Sequence, residues 1–367
     1  MRSPDQRLPG IDALKGLACA MIVWHHLAFY GPMSDVVHPF VPGLTGWLYD
    51  HGRMAVQVFL VVGGFLAAGS LAPGGVATFG PAGRLILRRY RRLVPPYLVA
   101  LAVSVLVAAL VRPWFEHPSV PAAPTLVQLL AHVLLLQDVL GQEALSAGVW
   151  YVAIDLQLFA MSVLVLGMAR QLQHRWPGMP ARLVSPGIAL VLGLAVSSLL
   201  FFNRQAGLDM TGLYFFGAYA LGMLAFWAST TQRPGPWLLT MAVLGGMALA
   251  LDFRGRLVVA LVTAFGLVWL QRGVRAAWQG RWLRQRRWSA LEQLGKMSYS
   301  VFLIHFPVCL LVNAVVSHFW PTQVLANALG LGVAFLLSLL AGGVLYRAVE
   351  SRRAPWPSLQ KASVISR

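Results

Sequence analysis

The sequence predicts an all-α membrane protein with ten transmembrane helices. Of its 367 residues, 58% are hydrophobic and 11% are charged, and the mean hydropathy is +0.67. Soluble domains carry about 25% charged residues, so this composition excludes an ordinary soluble domain. Apolar stretches that approach the thickness of a bilayer recur along the whole chain. The predicted spans lie near residues 11–30, 54–71, 93–111, 150–168, 184–202, 211–229, 237–251, 257–271, 297–317 and 324–346.

The basic residues predict how these spans are oriented. The formal net charge is +17, but the Lys and Arg residues cluster in loops between apolar spans, which argues against nucleic acid as a partner. An excess of Lys and Arg marks the cytoplasmic loops of membrane proteins. We therefore expect a multi-pass protein of a bacterial-type inner (cytoplasmic) membrane, in contact with its lipids and with both termini in the cytoplasm. This orientation leaves on the opposite side only Arg53, Arg112, Arg204, Arg254 and Arg256.

The apolar segment 126–140 does not fit this count of spans. It follows a proline-rich stretch at 112–125, it is short, and its polar residues are Gln128, His132, Gln137 and Asp138. Treating it as a span would invert every later loop and place the basic loops outside. The sequence therefore predicts an interfacial or re-entrant helix there. With no repeat or linker, residues 1–350 are expected to form one transmembrane domain, followed by a short basic tail at 351–367.

The first span carries polar residues on one face. Lys15 and His26 are eleven residues apart, which places them about 20° apart around a helix and about 16 Å apart along it. Asp12 and Cys19 belong to the same stripe. A charge that faces lipid at the membrane centre costs roughly 2.5–3.5 kcal/mol. The stripe is therefore expected to face a cavity or another helix.

Two later spans contain ionisable residues. Asp155, in the fourth span, is predicted to lie at nearly the depth of His26, where a carboxylate would orient the imidazole as a general base requires. The alternative is a structural polar pair that joins two helices. His305 lies in the middle of the ninth span, either as a functional group or as a hydrogen-bonded core histidine.

The segment RRYRRLVPPY, residues 88–97, combines four arginines with a proline pair that is expected to start the third helix. Arg88 with Arg91, or Arg89 with Arg92, would lie one turn apart and could bind a phosphate. The alternative is an anchor for anionic lipid headgroups.

The second span lies within HGRMAVQVFLVVGGFLAAG, residues 51–69. Arg53 and Gln57 are one turn apart at its outer entrance, as substrate contacts or as an interface anchor. Gly63 and Gly64 are expected to let another helix approach closely.

Six motifs in order cover nearly the whole chain: LPGIDALKG with a following HH, G-x3-V-x-VF-x3-GGF, RRYRRLVPPY, WYVAIDLQLF, LGKMSYSVFLIHFP and a YRAVESR ending. Together they resemble acyltransferase family 3, a family of integral membrane acyltransferases. The resemblance implies ten helices with cytoplasmic ends, and transfer of acetyl or another short acyl group from cytoplasmic acyl-CoA to hydroxyls of cell-surface glycans or lipids. The arginine and histidine signature of the family falls on Lys15 and His26, so lysine replaces arginine. Its tryptophan and glutamate motif falls on Trp150 and Asp155.

These observations combine into one hypothesis. Acyl-CoA, a co-substrate rather than a tightly bound cofactor, would place its phosphates on the arginine segment and Lys15, with the basic loop 272–296 as a further contact. His26, oriented by Asp155, would deprotonate an acceptor hydroxyl or accept the acyl group itself. The sequence contains no metal motif such as H-E-x-x-H. The candidate catalytic residues are His26, Asp155, Lys15 and His305; the donor contacts are Arg88, Arg89, Arg91, Arg92 and Lys15; the acceptor contacts are Arg53, Gln57 and Trp150.

Two other functions are compatible with the sequence. Buried Asp, Lys and His residues also form proton relays, so a proton-coupled transporter or flippase of a glycan or lipid is the alternative. The replacements at Lys15 and Asp155 leave open an inactive scaffold.

Overall fold

The computed structural model describes residues 9–175, 185–273 and 289–352, and within these ranges the protein is helical with no strand. Most of the basic loop 272–296 and of the tail 351–367 lies outside the described residues. The helices are α1 (Pro9–Phe29), α2 (Pro32–Val37), α3 (Pro42–His51), α4 (Val56–Leu71), α5 (Ala82–Val111), α6 (Leu126–Val133), α7 (Val149–Arg175), α8 (Pro186–Leu200), α9 (Gly212–Thr230), α10 (Gly235–Leu251), α11 (Gly255–Gly273), α12 (Ser289–Phe319) and α13 (Val324–Leu345).

Every one of the ten predicted spans corresponds to a helix, which confirms the all-α multi-pass architecture. Within the described ranges, eight helical segments are long and apolar enough to cross a membrane. The first span reaches that standard only together with α2, which follows after a bend of 81°. Helix α10, the seventh span, is apolar but has only 17 residues and is not among these eight. Ten is therefore an approximate count of membrane crossings.

The third span differs from its prediction in where its helix begins. Helix α5 starts at Ala82 and continues through Pro95 and Pro96, so the proline pair lies inside the helix and does not start it. A proline removes one backbone donor, but the long flanking segments keep the remaining hydrogen bonds of the helix. As a result the arginine segment is helical, and Arg89 and Arg92 lie on one face.

Segment 126–140 does not cross the bundle. Helix α6 has only 8 residues, which is about 12 Å. Thr125 and Gln128 form a capping box at its start, and the Tyr90 hydroxyl donates to the carbonyl oxygen of Val133 at 2.7 Å. The segment is thus a short helix that is hydrogen-bonded to α5, as the prediction of a non-spanning helix requires.

Glycines set the closest helix contacts. A Cβ atom at Gly64 would overlap the carbonyl oxygen of Tyr219, and one at Gly222 would overlap that of Val61, so α4 and α9 touch through their backbones. The predicted close approach at the glycine pair of α4 is confirmed at Gly64.

Helices α1 and α12 make a similar contact. A Cβ atom at Gly16 would overlap the Leu291 carbonyl oxygen, and one at Gly295 would overlap that of Asp12. The pairing continues as the Cys19 thiol donates to the Ser298 carbonyl oxygen at 3.5 Å. The two helices therefore run parallel with one constant register.

Different helices begin at the two ends of the bundle. The terminal end is where α1, α5 and α12 begin and α13 finishes. The distal end is where α4, α7, α9 and α11 begin. A cavity lies at each end.

Candidate functional site

Two histidines from parallel helices meet in the core of the bundle. His26 Nδ1, on α1, lies 2.5 Å from His305 Nε2, on α12. The two rings are almost parallel, with an interplanar angle of 8° and centroids 4.8 Å apart. His305 is fully buried and His26 is half-buried. The structure thus brings together two of the predicted site residues.

The hydrogen bonds of this pair fix which nitrogen carries each proton. His305 Nδ1 lies 2.7 Å from the carbonyl oxygen of Phe302, which can only accept, so His305 carries its proton on Nδ1. In a neutral imidazole the other nitrogen is then an acceptor, so His26 Nδ1–H donates to His305 Nε2. His26 Nε2 is left with a free lone pair, and it has no hydrogen-bond partner among the described residues. This is the atom that can take a proton from a substrate.

The predicted contact between Asp155 and His26 is wrong. Asp155 instead forms a bidentate ion pair with Arg89, in which Arg89 Nη2 lies 2.8 and 2.7 Å from the two carboxylate oxygens and Nε lies 3.1 Å from Oδ2. A buried carboxylate is stabilised more by a cation than by a neutral imidazole, because an uncompensated charge in the core is strongly unfavourable. Asp155 and His26 were predicted to lie at a similar depth in the membrane, but they are not neighbours. His305 is the residue that lies beside His26.

The other residues of the first span take separate roles. His25 is buried and its Nδ1–H donates to the Leu48 carbonyl oxygen at 2.9 Å, so this histidine holds α3 against α1. Lys15 forms an ion pair with Asp12 at 3.2 Å. Lys15 also lines the cavity at the terminal end.

This terminal cavity, of about 190 Å³, is rich in basic residues. Arg89 and Arg92, rather than the alternative pair of arginines, line it. Lys15, Lys296 and Glu350 also line it, and Glu350 accepts a hydrogen bond from the Ser300 hydroxyl at 2.6 Å. Guanidinium and ammonium groups in this arrangement suit a phosphorylated ligand.

A larger cavity of about 560 Å³ opens at the distal end. All three predicted acceptor residues, Arg53, Gln57 and Trp150, line it. Its wall also contains aromatic and polar side chains, namely Tyr214, Phe215, Asp138, Asp209, Arg254 and Arg256.

Two arginines that line the distal cavity differ in their hydrogen bonds. Arg254 is buried and fully engaged, since its guanidinium donates to the Asn203 side chain at 2.6 Å and to backbone oxygens of α8 and α10. The Arg256 guanidinium lies 4.7 Å over the Tyr214 ring, and its Nε is buried with no hydrogen-bond partner. That Nε is a donor that a bound ligand could satisfy.

The model of a protein family described as an acyltransferase domain matches residues 8–347. The chain belongs to acyltransferase family 3. A curated relative named regulator of hypoxia-inducible factor 1, from Caenorhabditis elegans, is 22% identical in an alignment that covers 88% of this chain and 72% of the relative. No solved structure matches the chain.

The family match confirms the resemblance and supports acyl transfer in general. Sequence reasoning about this acyltransferase missed several cavity residues, among them Tyr151, Phe302 and Arg256. Lys296 is the last residue of the basic loop 272–296, which was expected to contact the donor. Tyr151 and Phe302 look like ordinary apolar core positions in the sequence. Within the described ranges, no three His, Cys, Asp or Glu side chains are grouped as a metal site would need.

Proposed function

We propose that this acyltransferase transfers a short acyl group, acetyl in the first instance, from acyl-CoA to a hydroxyl of a glycan or lipid-linked glycan, with His26 as the general base. The observation that carries the proposal is the proton order of the histidine pair, which leaves a lone pair on His26 Nε2. A general base has to present such a lone pair within reach of the hydroxyl proton.

The donor is assigned to the terminal cavity. Arg89, Arg92, Lys15 and Lys296 would contact the phosphates of acyl-CoA. At about 190 Å³ the cavity is smaller than the roughly 300 Å³ or more of a usual ligand pocket, so it holds only part of the donor. The nucleotide would stay outside the bundle, and the thioester arm would extend between the helices.

The acceptor is assigned to the distal cavity. Trp150 and Tyr214 offer flat apolar faces, and Gln57, Asp138 and Asp209 offer partners for hydroxyl groups. Burial raises the pKa of the Asp138 carboxyl above its ordinary value. This combination of ring faces and hydrogen-bonding groups suits a sugar.

The distal cavity adjoins the histidine region through the backbone. A Cβ atom at Gly52 would meet His25, and the next residue, Arg53, lines the cavity. An acceptor hydroxyl that enters from this side would approach the part of α1 that carries His26.

The reaction then follows from the residues present. His26 Nε2 takes the proton of the acceptor hydroxyl, and the oxygen attacks the thioester carbonyl carbon, forming the C–O bond. The C–S bond breaks, and the CoA thiolate recovers the proton from His26. His305 accepts the hydrogen bond of His26 Nδ1 throughout and stabilises the positive charge that His26 gains. We place the terminal end in the cytoplasm, where acyl-CoA is made, because the basic residues concentrate there.

The test uses the purified protein, labelled acetyl-CoA and a membrane glycolipid extract as acceptor, with release of free CoA thiol as the readout. His26→Ala should lower turnover by about 10²-fold or more while CoA binding is unchanged. His25→Ala is the matched control and should cost less, because its imidazole only holds α3. Wild-type activity in His26→Ala would refute the mechanism. Uptake of the extract into vesicles without CoA release would favour the transporter instead.

A further inference from the structure

Three aromatic rings from three helices close the terminal cavity on its inner side. Phe59 of α4, Tyr151 of α7 and Phe302 of α12 all line this cavity. Each ring contacts both others, with centroids 6.1 Å apart for Phe59 and Tyr151, 6.4 Å for Phe59 and Phe302, and 5.3 Å for Tyr151 and Phe302. We refer to these three residues as the aromatic triad.

Phe302 connects the terminal cavity to the histidine pair. The Phe302 ring is 6.0 Å from the His305 ring, and the Phe302 carbonyl oxygen holds His305 Nδ1. Phe59 also packs against the apolar cluster that contains Cys19 and Val23 of α1. An acyl group held between the basic side chains and His26 would therefore lie against these rings.

Phe302 has little room to move away. Only 4% of it is exposed, and Gly148 packs so closely against it that a side chain there would press on the ring and on the Phe302 carbonyl oxygen. Well-packed interiors resist added methylene groups, because the extra volume forces neighbouring side chains out of their preferred rotamers. Phe302 is thus a firm part of the wall against which an acyl chain would lie.

We propose that the aromatic triad sets the length of the acyl group, admitting acetyl and excluding chains of six carbons or more. This rests on the proposed function, since it needs an acyl-CoA in the terminal cavity. An acetyl group places a single methyl beyond the thioester carbonyl, whereas a hexanoyl chain has to lie against the three rings.

The test compares acetyl-CoA with hexanoyl-CoA in the wild type and in Phe302→Leu and Phe59→Leu, using kcat/KM from CoA release. Each substitution removes part of a ring and should raise the ratio of hexanoyl to acetyl activity by about 10-fold or more, the usual effect of changing the space for a methylene group. Phe226→Leu is the matched control, because its ring packs on Phe65, away from the cavity, and its ratio should stay that of the wild type.

The preference for acyl chain length can also be measured by binding, without turnover. In a His26→Ala background, hexanoyl-CoA should compete with labelled acetyl-CoA at least 10-fold better once Phe302→Leu is added. A wild type that consumes acetyl-CoA while both triad variants keep its ratio would refute the triad and leave the proposed function standing. A wild type that neither binds nor consumes any acyl-CoA would refute both.

Discussion

Substitution of His305 separates the role of the histidine pair from simple packing. His305→Phe keeps a flat ring in the same buried site but removes Nε2, which accepts from His26 Nδ1–H at 2.5 Å. Without this acceptor, His26 can move its proton to Nε2. The lone pair then lies on the wrong nitrogen, and the general base is lost.

The expected loss follows from the energy of one hydrogen bond. A buried hydrogen bond contributes about 0.5–1.5 kcal/mol, and a buried donor left without a partner costs about 1–3 kcal/mol. Since about 1.4 kcal/mol corresponds to a factor of ten, kcat should fall about 10- to 100-fold. The KM for acetyl-CoA should stay within about twofold, because His305 does not line the terminal cavity.

The assay is the dependence of CoA release on acetyl-CoA concentration. His305→Gln supplies a side-chain oxygen near the former Nε2 and should recover most of the kcat that His305→Phe loses. A purely structural role for His305 predicts instead that both variants lose thermal stability and activity together. Equal kcat in His305→Phe and the wild type would refute the proton order derived from the structure.

Three further predictions concern the surroundings of the site. Arg89→Gln leaves Asp155 without its cation. Breaking a buried ion pair costs about 3–5 kcal/mol of stability, and the cost is smaller here because 24% of the Arg89 side chain is exposed. The melting temperature should therefore fall, and it should partly recover when Asp155→Asn is added. A cysteine at Gly141, in the loop after α6, should react with an impermeant thiol reagent from outside intact cells, and protection there would contradict the proposed orientation. Gly295→Ala should push α1 from α12 and lower both stability and turnover, whereas Gly167→Ala, where a Cβ atom meets nothing within 4 Å, should be neutral or slightly stabilising.

The sequence predicted the helices well because bilayer thickness constrains apolar length. Each span corresponds to a helix. Of the polar residues that hydropathy marks as costly in lipid, His305 is fully buried and His26 is half-buried beside it. The orientation and the chemical roles of these residues stay predictions. Hydropathy predicts how deep a residue lies in the membrane. It does not predict which helices are neighbours.

The incorrect pairing of Asp155 shows this limit. Its depth matched that of His26, but α7 packs against α5 and brings Asp155 to Arg89. The opposite charges of Asp155 and the arginine segment could have indicated the correct pair, because a carboxylate inside a bundle is stabilised far more by a cation than by a neutral ring. The pairing of His26 with His305 depends on α1 and α12 being neighbours, and no periodicity within either helix reveals that.

The register between α1 and α12 has a consequence for the donor. Gly16 with Gly295, Cys19 with Ser298 and His26 with His305 share one offset of 279 residues, so α1 follows α12 without slipping. Lys15 is therefore held at the terminal cavity while His26 lies about 16 Å further along the same helix.

A donor that uses both residues must carry its phosphates far from its acyl carbon. Acyl-CoA meets this condition, because the pantetheine arm separates the nucleotide phosphates from the thioester. Acetyl phosphate does not, because its phosphate is bonded directly to the acyl group and cannot reach Lys15 and His26 together. Acetyl phosphate at the same concentration should therefore support no transfer above that of His26→Ala, measured as labelled acetyl incorporated into the acceptor extract. Transfer from acetyl phosphate at the rate seen with acetyl-CoA would show that the basic cavity and the histidine pair do not act on one donor molecule.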